Sequence, residues 1–304
     1  MAVVATGFFD GVHPGHRLVI DTLLSEARAR GEQSVVVTFW PHPRAVLQSG
    51  ADSLRYLCSR SERYELLRSL GVDRVETVTF SQQFAAMSAE QYIDMLRCNY
   101  GCTELVLGYD TRFGREQTGP SGIAELARSM GLDARIVPPV ILSGSEESPL
   151  PISSSRIRAA LEAGDVVLAA KLLGRPYRLH GVVVAGDKIG RTIGFPTANM
   201  KLYEPLMAIP RNGVYKTSVI LNGAQRSEES IFYTGLTNIG VRPTVSDRQV
   251  LTIETHILDF DEMIYGLDIS LEFHERIRDE RRFGSLSELQ AQLQADATLI
   301  RNSL

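Results

Sequence analysis

The amino-acid sequence predicts an α/β domain built on a mostly parallel sheet, followed by an antiparallel β-barrel domain with a C-terminal helix. Strand and helix signals alternate through the first half, which is typical of a parallel sheet with helices on both faces. In the second half glycine and proline become frequent and the strands are short and alternating. A length of 304 residues favours two domains. We place the joint at Gly174-Arg175-Pro176, which gives domains 1–174 and 175–304.

The elements of the first half follow from apolar spacing, caps and stops. An apolar run at residues 2–5 and a β-branched run at 35–39 predict strands, and a helix between them ends at Gly31. Capping boxes at Ser59–Glu62 and Ser88–Gln91 begin helices that end near residues 71 and 101. The remaining signals are a strand at 105–107 and a helix at 123–130.

In the second half the clearest strands are residues 213–220 and 250–258. Their alternation of apolar and polar residues predicts half-buried strands of a closed barrel. Ser285 and Glu288 cap a final helix, in which Leu289 and Leu293 share one face.

Composition limits the function classes. The net charge of −4 argues against nucleic acid as a partner. No signal-peptide pattern and no run of about 18 apolar residues occur, so no membrane association is expected. The three cysteines, Cys58, Cys98 and Cys102, form no Cys-x-x-Cys pair, which indicates a reducing, cytoplasmic setting. We expect Cys98 and Cys102 on one helix, buried or half-buried.

The stretch from Gly7 to His16 is the strongest functional signal. It follows a predicted strand and precedes a helix, and the amides of such a glycine-rich turn point at anionic oxygens. His13 and His16 can add two hydrogen-bond donors where charge develops. On its own, a His-x-x-His pair in a loop can also be simply solvated.

Three further segments accompany this turn. Residues 38–43 (Thr-Phe-Trp-Pro-His-Pro) and 107–114 each follow a strand, and residues 152–158 carry three serines and two arginines. The first can be a rigid proline-fixed loop, and the serines can be a helix N-cap. Hydroxyls followed by arginines can equally hold a triphosphate.

The second half carries a glycine-dense segment, residues 181–199, that contains no Walker A pattern. Thr197 and Asn199 fall on one face of an extended segment, and their oxygens suit Mg²⁺. Glu254 lies on the face of its strand opposite Leu251, Ile253 and Ile257. A barrel corner and a solvated glutamate are the alternatives that these residues leave open.

These motifs, in order, resemble those of bacterial FAD synthetases. The first four resemble the adenylyltransferase half of that family, and Gly-Phe-Pro-Thr-Ala-Asn resembles the signature of riboflavin kinases. The resemblance implies a Rossmann-like nucleotidyltransferase domain followed by a riboflavin kinase barrel. It implies ATP as co-substrate, Mg²⁺ as cofactor, riboflavin as substrate, and FMN and FAD as products.

The resemblance also implies roles for individual residues. Glu254 would be the base of the kinase step, and His13, His16 and Arg158 would serve adenylyl transfer. The nucleotide-binding residues would be Gly7, Phe8, Asp10, Gly11, Gly15, Ser154, Ser155, Gly186, Gly190, Gly194, Pro196, Thr197 and Asn199. The flavin-binding residues would be Pro41, Pro43, Asp110 and Arg278, and the metal ligands Thr197 and Asn199. Residues 237–244, 259–266 and 278–283 are expected on loops that close over the flavin.

Two alternatives stay open. Gln117 stands where the family commonly has arginine, so only the kinase half could be competent. A flavin-binding regulator without turnover is the second alternative, which complete nucleotide and metal sets argue against. A nucleotidyltransferase that modifies nucleic acid is disfavoured by the acidic balance.

Overall fold

The computed structural model describes residues 1–47, 54–142, 150–186, 189–222, 232–243 and 249–302. The chain divides into two compact units, Met1–Ser154 and Ser155–Leu304. The boundary at residue 174 stays a prediction. Within the described residues, no helix is both long and apolar enough to cross a membrane.

The first unit contains a five-stranded parallel sheet in the order β3-β2-β1-β4-β5. The central strands are apolar on both faces because helices cover both sides of the sheet. The strands are β1 (Ala2–Thr6), β2 (Gln33–Trp40), β3 (Arg74–Thr79), β4 (Cys102–Gly108) and β5 (Asp133–Val137). The helices are α1 (Pro14–Arg30), α2 (Pro43–Leu47), α3 (Arg60–Ser69), α4 (Gln82–Ala85), α5 (Ala89–Tyr100) and α6 (Pro120–Ser129). The predicted α/β class is confirmed.

Local signals set the helix ends of this unit. Both predicted capping boxes are present, at Ser59 of α3 and Ser88 of α5. Gly101 ends α5 in the left-handed conformation (φ 65°), and the chain then enters β4. The expectation that Cys98 and Cys102 share a helix is therefore wrong, because this glycine separates them. Cys98 is exposed on α5, whereas Cys102 is buried in β4.

The second unit contains a closed antiparallel barrel in the order β10-β7-β6-β11-β8-β9. Burial alternates along its strands, as in β6, so one face fills the interior. The strands are β6 (Tyr177–Val184), β7 (Ala198–Leu202), β8 (Gly213–Asn222), β9 (Phe232–Pro243), β10 (Gln249–Ile257) and β11 (Asp268–Arg278). The helices are α7 (Ser154–Ala163), α8 (Val166–Leu173), α9 (Ile189–Thr192) and α10 (Leu286–Arg301). The predicted barrel and C-terminal helix are confirmed.

Three threonines form a hydroxyl chain inside the barrel. Thr255 of β10, Thr237 of β9 and Thr217 of β8 are fully buried. The oxygen atoms of Thr255 and Thr237 lie 2.9 Å apart, and those of Thr237 and Thr217 lie 2.8 Å apart. Thr217 also donates to the carbonyl oxygen of Gly235 at 3.2 Å. The chain ties three neighbouring strands together through their side chains.

One expected loop is a strand. Residues 237–243 belong to β9, where all of them pair with β10 and those up to Ile239 also pair with β8. Residue 244 lies outside the described residues. These residues form a strand because inward and outward side chains alternate: Thr237 and Ile239 are buried, and Asn238 between them points outward. Arg278 likewise ends β11 rather than lying on a loop.

The C-terminal helix α10 packs against one end of the barrel. Its buried residues include Ala297 and Ile300, and Leu289 and Leu293 are half-buried against the same cluster. The barrel contributes the other members of this cluster, which are Ile193, Phe195, Val214, Leu236 and Leu258. The predicted apolar face of the final helix is confirmed.

Candidate active sites

The turn from Gly7 to His13 joins the end of β1 to the start of α1. Gly7 donates from its backbone to the carbonyl oxygen of Val37, which holds the turn at the carboxyl end of the sheet. His13 is the N-cap of α1, where its Nδ1 atom accepts from the backbone N–H of His16 at 3.4 Å. The turn therefore lies beside a helix N-terminus, where unpaired amides favour an anion.

The backbone of this turn is strained. Phe9 (φ 56°) and Val12 (φ 44°) adopt left-handed conformations that side chains disfavour, and Gly11 (φ 78°) lies between them. Such outliers persist only where the surrounding structure holds them, and they concentrate at functional sites. The strain supports the interpretation of this turn as a site rather than a solvated loop.

Asp10 stabilises the turn through hydrogen bonds to two other segments of the first unit. Its carboxylate is buried, and Oδ1 accepts from the backbone N–H groups of Leu57 (2.9 Å) and Cys58 (3.3 Å). The carbonyl oxygen of Asp10 accepts from the hydroxyl of Ser154 at 3.0 Å. Ser154, the last residue of the first unit, is therefore bound to the opening turn.

The two histidines lie face to face. Their ring centroids are 3.6 Å apart at an interplanar angle of 16°. Burial, followed by the charges of His13 and Arg63, lowers the pKa of His16 well below its usual value. Because two stacked imidazolium rings would repel each other, His16 favours the neutral ring, which can donate one hydrogen bond. Gly15 lies against the His13 ring.

An aromatic cavity of about 970 Å³ opens in the same unit. Of the predicted flavin-binding residues of this unit, Pro43 lines the cavity. Pro41, two residues before Pro43, and Asp110, in the turn after β4, are not among its lining residues. Gln117 also lines it, together with two cations, Arg44 and Arg112. Its other lining residues are Phe39, Leu47, Phe80, Phe84, Ala85, Met87, Tyr92, Phe113 and Gly114.

Sequence reasoning missed most of these aromatic residues. Phe80, Phe84 and Tyr92 come from three different segments, and each alone looks like an ordinary core residue. The structure stacks them edge to face, with ring centroids 5.4–5.6 Å apart. The hydroxyl of Tyr92 also bonds that of Thr6, the last residue of β1, at 2.5 Å. The cavity is thereby linked to the strand that leads into the opening turn.

In the barrel, Glu254 lies between two asparagines. The register pairs Glu254 of β10 with Asn199 of β7 on one side and with Asn238 of β9 on the other. Directly opposed residues of antiparallel strands point to the same face, so the three side chains form a row on the outer face. Ile253 and Ile257 are buried on the other face, as the sequence predicts.

This row borders a cavity of about 1010 Å³. Glu254, Asn238 and Thr252 lie on its barrel side, and Leu289 and Leu293 of α10 lie on its apolar side. Gly190, Thr197 and Arg278 complete the predicted residues that line it. A carboxylate, an amide and an apolar wall suit a ligand with a large ring and a polar tail.

Thr197 also lines a second cavity of about 480 Å³. Arg191 and Pro196 border this cavity, which reaches Tyr265 on the loop after β10. His256 lies beneath this segment: its Nδ1 is 2.8 Å from the carbonyl oxygen of Pro196, which can only accept, so Nδ1 carries the proton. Sequence reasoning missed His256, although it shares the face of Glu254. Thr197 thus stands where the two cavities meet.

Arg278 is held by a buried carboxylate. Its Nε and Nη2 atoms donate to Oδ2 of Asp296 at 2.9 and 2.8 Å, and Gln292 donates to Oδ1 at 2.7 Å. Asp296 lies on α10 and is 3% exposed. The guanidinium therefore fastens the final helix beside the larger cavity.

The first unit has a parallel sheet and an opening turn that suits an anion, and the second has a carboxylate beside the larger of two neighbouring cavities. These features are typical of a nucleotide-using transferase with two active sites. The riboflavin kinase family model matches residues 173–304, and the FAD synthetase family model matches residues 1–155.

Full-length comparisons agree with these matches. The bifunctional riboflavin kinase/FMN adenylyltransferase of Bacillus subtilis is 36% identical over 97% of this chain and 90% of that protein. That of Escherichia coli K12 is 37% identical over 98% and 91%. A solved structure of a Streptococcus pneumoniae protein described as a macrolide-efflux protein has a TM-score of 0.87 at 33% identity, covering 99% of this chain and 94% of that one. The chain belongs to the bifunctional riboflavin kinase/FMN adenylyltransferase family.

Proposed function

We propose that the chain phosphorylates riboflavin to FMN with one ATP and then adenylylates FMN to FAD with a second ATP. The observation that carries this proposal is the position of Glu254, in a row between Asn199 and Asn238 and beside a cavity that meets a second one at Thr197. The two family matches, in order along one chain, support both steps. The reducing setting favoured by the cysteines supports a cytoplasmic location.

In the kinase step, riboflavin occupies the larger cavity and ATP the smaller one. Glu254 accepts the proton of the 5′-hydroxyl while that oxygen attacks the γ-phosphate, and ADP leaves. Gly186, Gly190, Gly194 and Pro196 shape the nucleotide side. Arg278, fixed by Asp296, borders the flavin.

The residues at Thr197 and Asn199 fit Mg²⁺. A Cβ at Gly186 would overlap the side-chain amide of Asn199, so the absence of a side chain at this glycine leaves room for that amide. Neutral hydroxyl and amide oxygens, few in number, match an ion that keeps waters and phosphate oxygens as its other ligands. When bound, Mg²⁺ supplies positive charge against the triphosphate. Thr197 and Asn199 hold it in this proposal.

In the adenylyl step, an oxygen of the FMN phosphate attacks the α-phosphate of ATP, and pyrophosphate leaves. The turn amides of Phe8 and Gly15 and the rings of His13 and His16 donate to the developing charge. Gly7 and Gly11 shape the nucleotide side of the turn, since their amides bond Val37 and Cys58. Asp10 shapes the turn through its buried carboxylate.

The remaining roles in this step belong to α7 and to the aromatic cavity. Ser154, Ser155 and Arg158 hold the triphosphate, and Pro41, Pro43 and Asp110 border the flavin. Arg44 and Arg112 line the aromatic cavity, so it retains positive charge although Gln117 replaces the family's arginine.

Chromatography of products tests the proposal. The pure protein, incubated with riboflavin, excess ATP and Mg²⁺, should give FMN and then FAD. FMN alone would leave only the kinase half competent, and no ATP consumption at all would favour a flavin-binding regulator.

Two variants separate the active sites. Glu254→Gln should lower FMN formation roughly 10²- to 10⁴-fold while FMN-to-FAD conversion is retained. His16→Ala should lower only FAD formation. Glu275→Gln, an exposed carboxylate on the same barrel, is the matched control and should leave both reactions unchanged. Loss of both reactions in Glu254→Gln would contradict the two-site proposal.

A further inference from the structure

The guanidinium of Arg63 is a buried group that the proposed chemistry does not yet use. Arg63 lies on α3 and is 1% exposed. Its Nη2 atom donates to the carbonyl oxygen of Phe39 at 3.3 Å. Its Nη1 atom is also buried and finds no hydrogen-bond partner in the part of the chain that the structure describes. A buried cation with an unmet donor opposes folding, so its presence requires an explanation.

Aromatic rings of the adenylyl-transfer unit surround this guanidinium. Its central carbon lies 4.0 Å from the ring centroid of Phe8, within the range of a cation–π contact, and 5.8 Å from that of Trp40. The Phe8 ring also contacts His42, at 4.1 Å between centroids. Arg63 therefore touches both the opening turn and the end of β2.

Its charge also acts on the opening turn. Cys58, whose thiol accepts from the backbone N–H of Gly11 at 3.1 Å, and Asp10 both lie near enough to interact electrostatically with Arg63. The same charge, after burial and His13, lowers the pKa of His16. The positive charge of Arg63 thus lies beneath the amides and the imidazole that are proposed to receive the phosphates.

We propose that Arg63 is a positioning residue for adenylyl transfer, which holds Phe8 and the opening turn in place and keeps a permanent positive charge beneath the phosphate site. This inference rests on the proposed function. It explains why the chain retains a cation where an apolar side chain of similar size would fold at least as well. Burial, then the charges of His13 and Arg63, lower the pKa of His16, so that ring meets the nucleotide as a neutral donor.

The test compares Arg63→Met, Arg63→Lys and the control Arg60→Met, which removes an exposed arginine from the same helix. For each full-length variant, kcat and KM for FMN-to-FAD conversion are measured across pH, with riboflavin kinase activity as an internal reference. Trp40 is the chain's single tryptophan, so its fluorescence during heating reports the unfolding of the first unit.

Arg63→Met should lower kcat for FAD formation roughly 10- to 100-fold while Arg63→Lys recovers most of the rate. The KM values should stay within roughly threefold, because the change acts on the reacting geometry. The acid limb of the pH profile should move to higher pH, since the pKa of His16 rises when the neighbouring charge is removed. The first unit should unfold at the same temperature as before or at a higher one.

Two results would overturn the inference. One is an Arg63→Met variant that forms FAD at a rate similar to wild type. The other is a loss of activity that comes with unfolding at a lower temperature and an unmoved acid limb, which indicates a purely structural arginine. Failure of the wild-type protein to form FAD would contradict the proposed function instead, and the two failures are thereby distinguished.

Discussion

Replacing Asp296 with asparagine should destabilise the barrel unit strongly. The carboxylate is 3% exposed and receives three N–H donors, two from Arg278 and one from Gln292. Asparagine removes the negative charge and brings two N–H groups of its own toward these donors. Breaking one side of a buried pair costs roughly 3–5 kcal/mol, because the partner charge stays behind without compensation.

The loss is measurable as a shift in thermal unfolding. For a unit of this size each kcal/mol lowers the midpoint by about 2–4 °C, so Asp296→Asn should unfold at least about 6 °C earlier. The barrel transition is recognised as the one that riboflavin and ATP raise, since a ligand of the native state stabilises the unit that binds it.

Asp259→Asn is the matched control for this experiment. Asp259 pairs at 2.7 Å with Arg301, which lies on α10 like Asp296. The side chains of Asp259 and Arg301 are 77% and 43% exposed. Such a surface pair contributes about 0–1 kcal/mol. If Asp296→Asn lowers the midpoint no more than Asp259→Asn does, the claim that the buried pair fastens α10 is wrong.

Three further predictions concern other parts of the chain. Gly186→Ala should abolish FMN formation and spare the FAD step, measured by product chromatography, because the added methyl group would overlap the amide of Asn199. Iodoacetamide should modify the native chain at Cys98 alone, as peptide mass spectrometry can check, since the other two thiols are buried and burial raises their pKa values. Asp73→Asn should unfold earlier than wild type at neutral pH. Hydrogen bonds from Ser34 lower the pKa of Asp73 below 3.8, so this difference should shrink as the pH falls below that value, and a difference independent of pH would contradict the assignment.

Local signals allowed much of the fold to be predicted from the sequence. The capping boxes at Ser59 and Ser88 and the stop at Gly101 act over a few residues, and they determine helix ends wherever the helix lies. The outer strands β3 and β5 carry weaker signals, because an edge strand is half-exposed and its pattern is less apolar. The stretch after Thr237 looked like a loop because it contains Gly240 and Pro243, which are unusual inside a strand.

Some residues of the candidate sites could also be predicted from local sequence motifs, whereas others depend on long-range contacts. Thr197, Asn199 and Glu254 stand in motifs that a reader of the sequence can recognise. Asn238 could not be placed beside Glu254 without the register of β9 against β10, which long-range pairing decides. Arg63 carries no sequence signal either, because an arginine four residues into a helix is ordinarily solvated.

The hydroxyl chain inside the barrel has a direction. Each threonine owns a single hydroxyl proton, and Thr217 donates its own to a carbonyl oxygen, so Thr237 must donate to Thr217 and Thr255 to Thr237. A slip of β10 by one residue would break this relay and turn Glu254 into the barrel interior. The three threonines therefore help to fix the register of β10 in the kinase site, and with it the face to which the Glu254 carboxylate points.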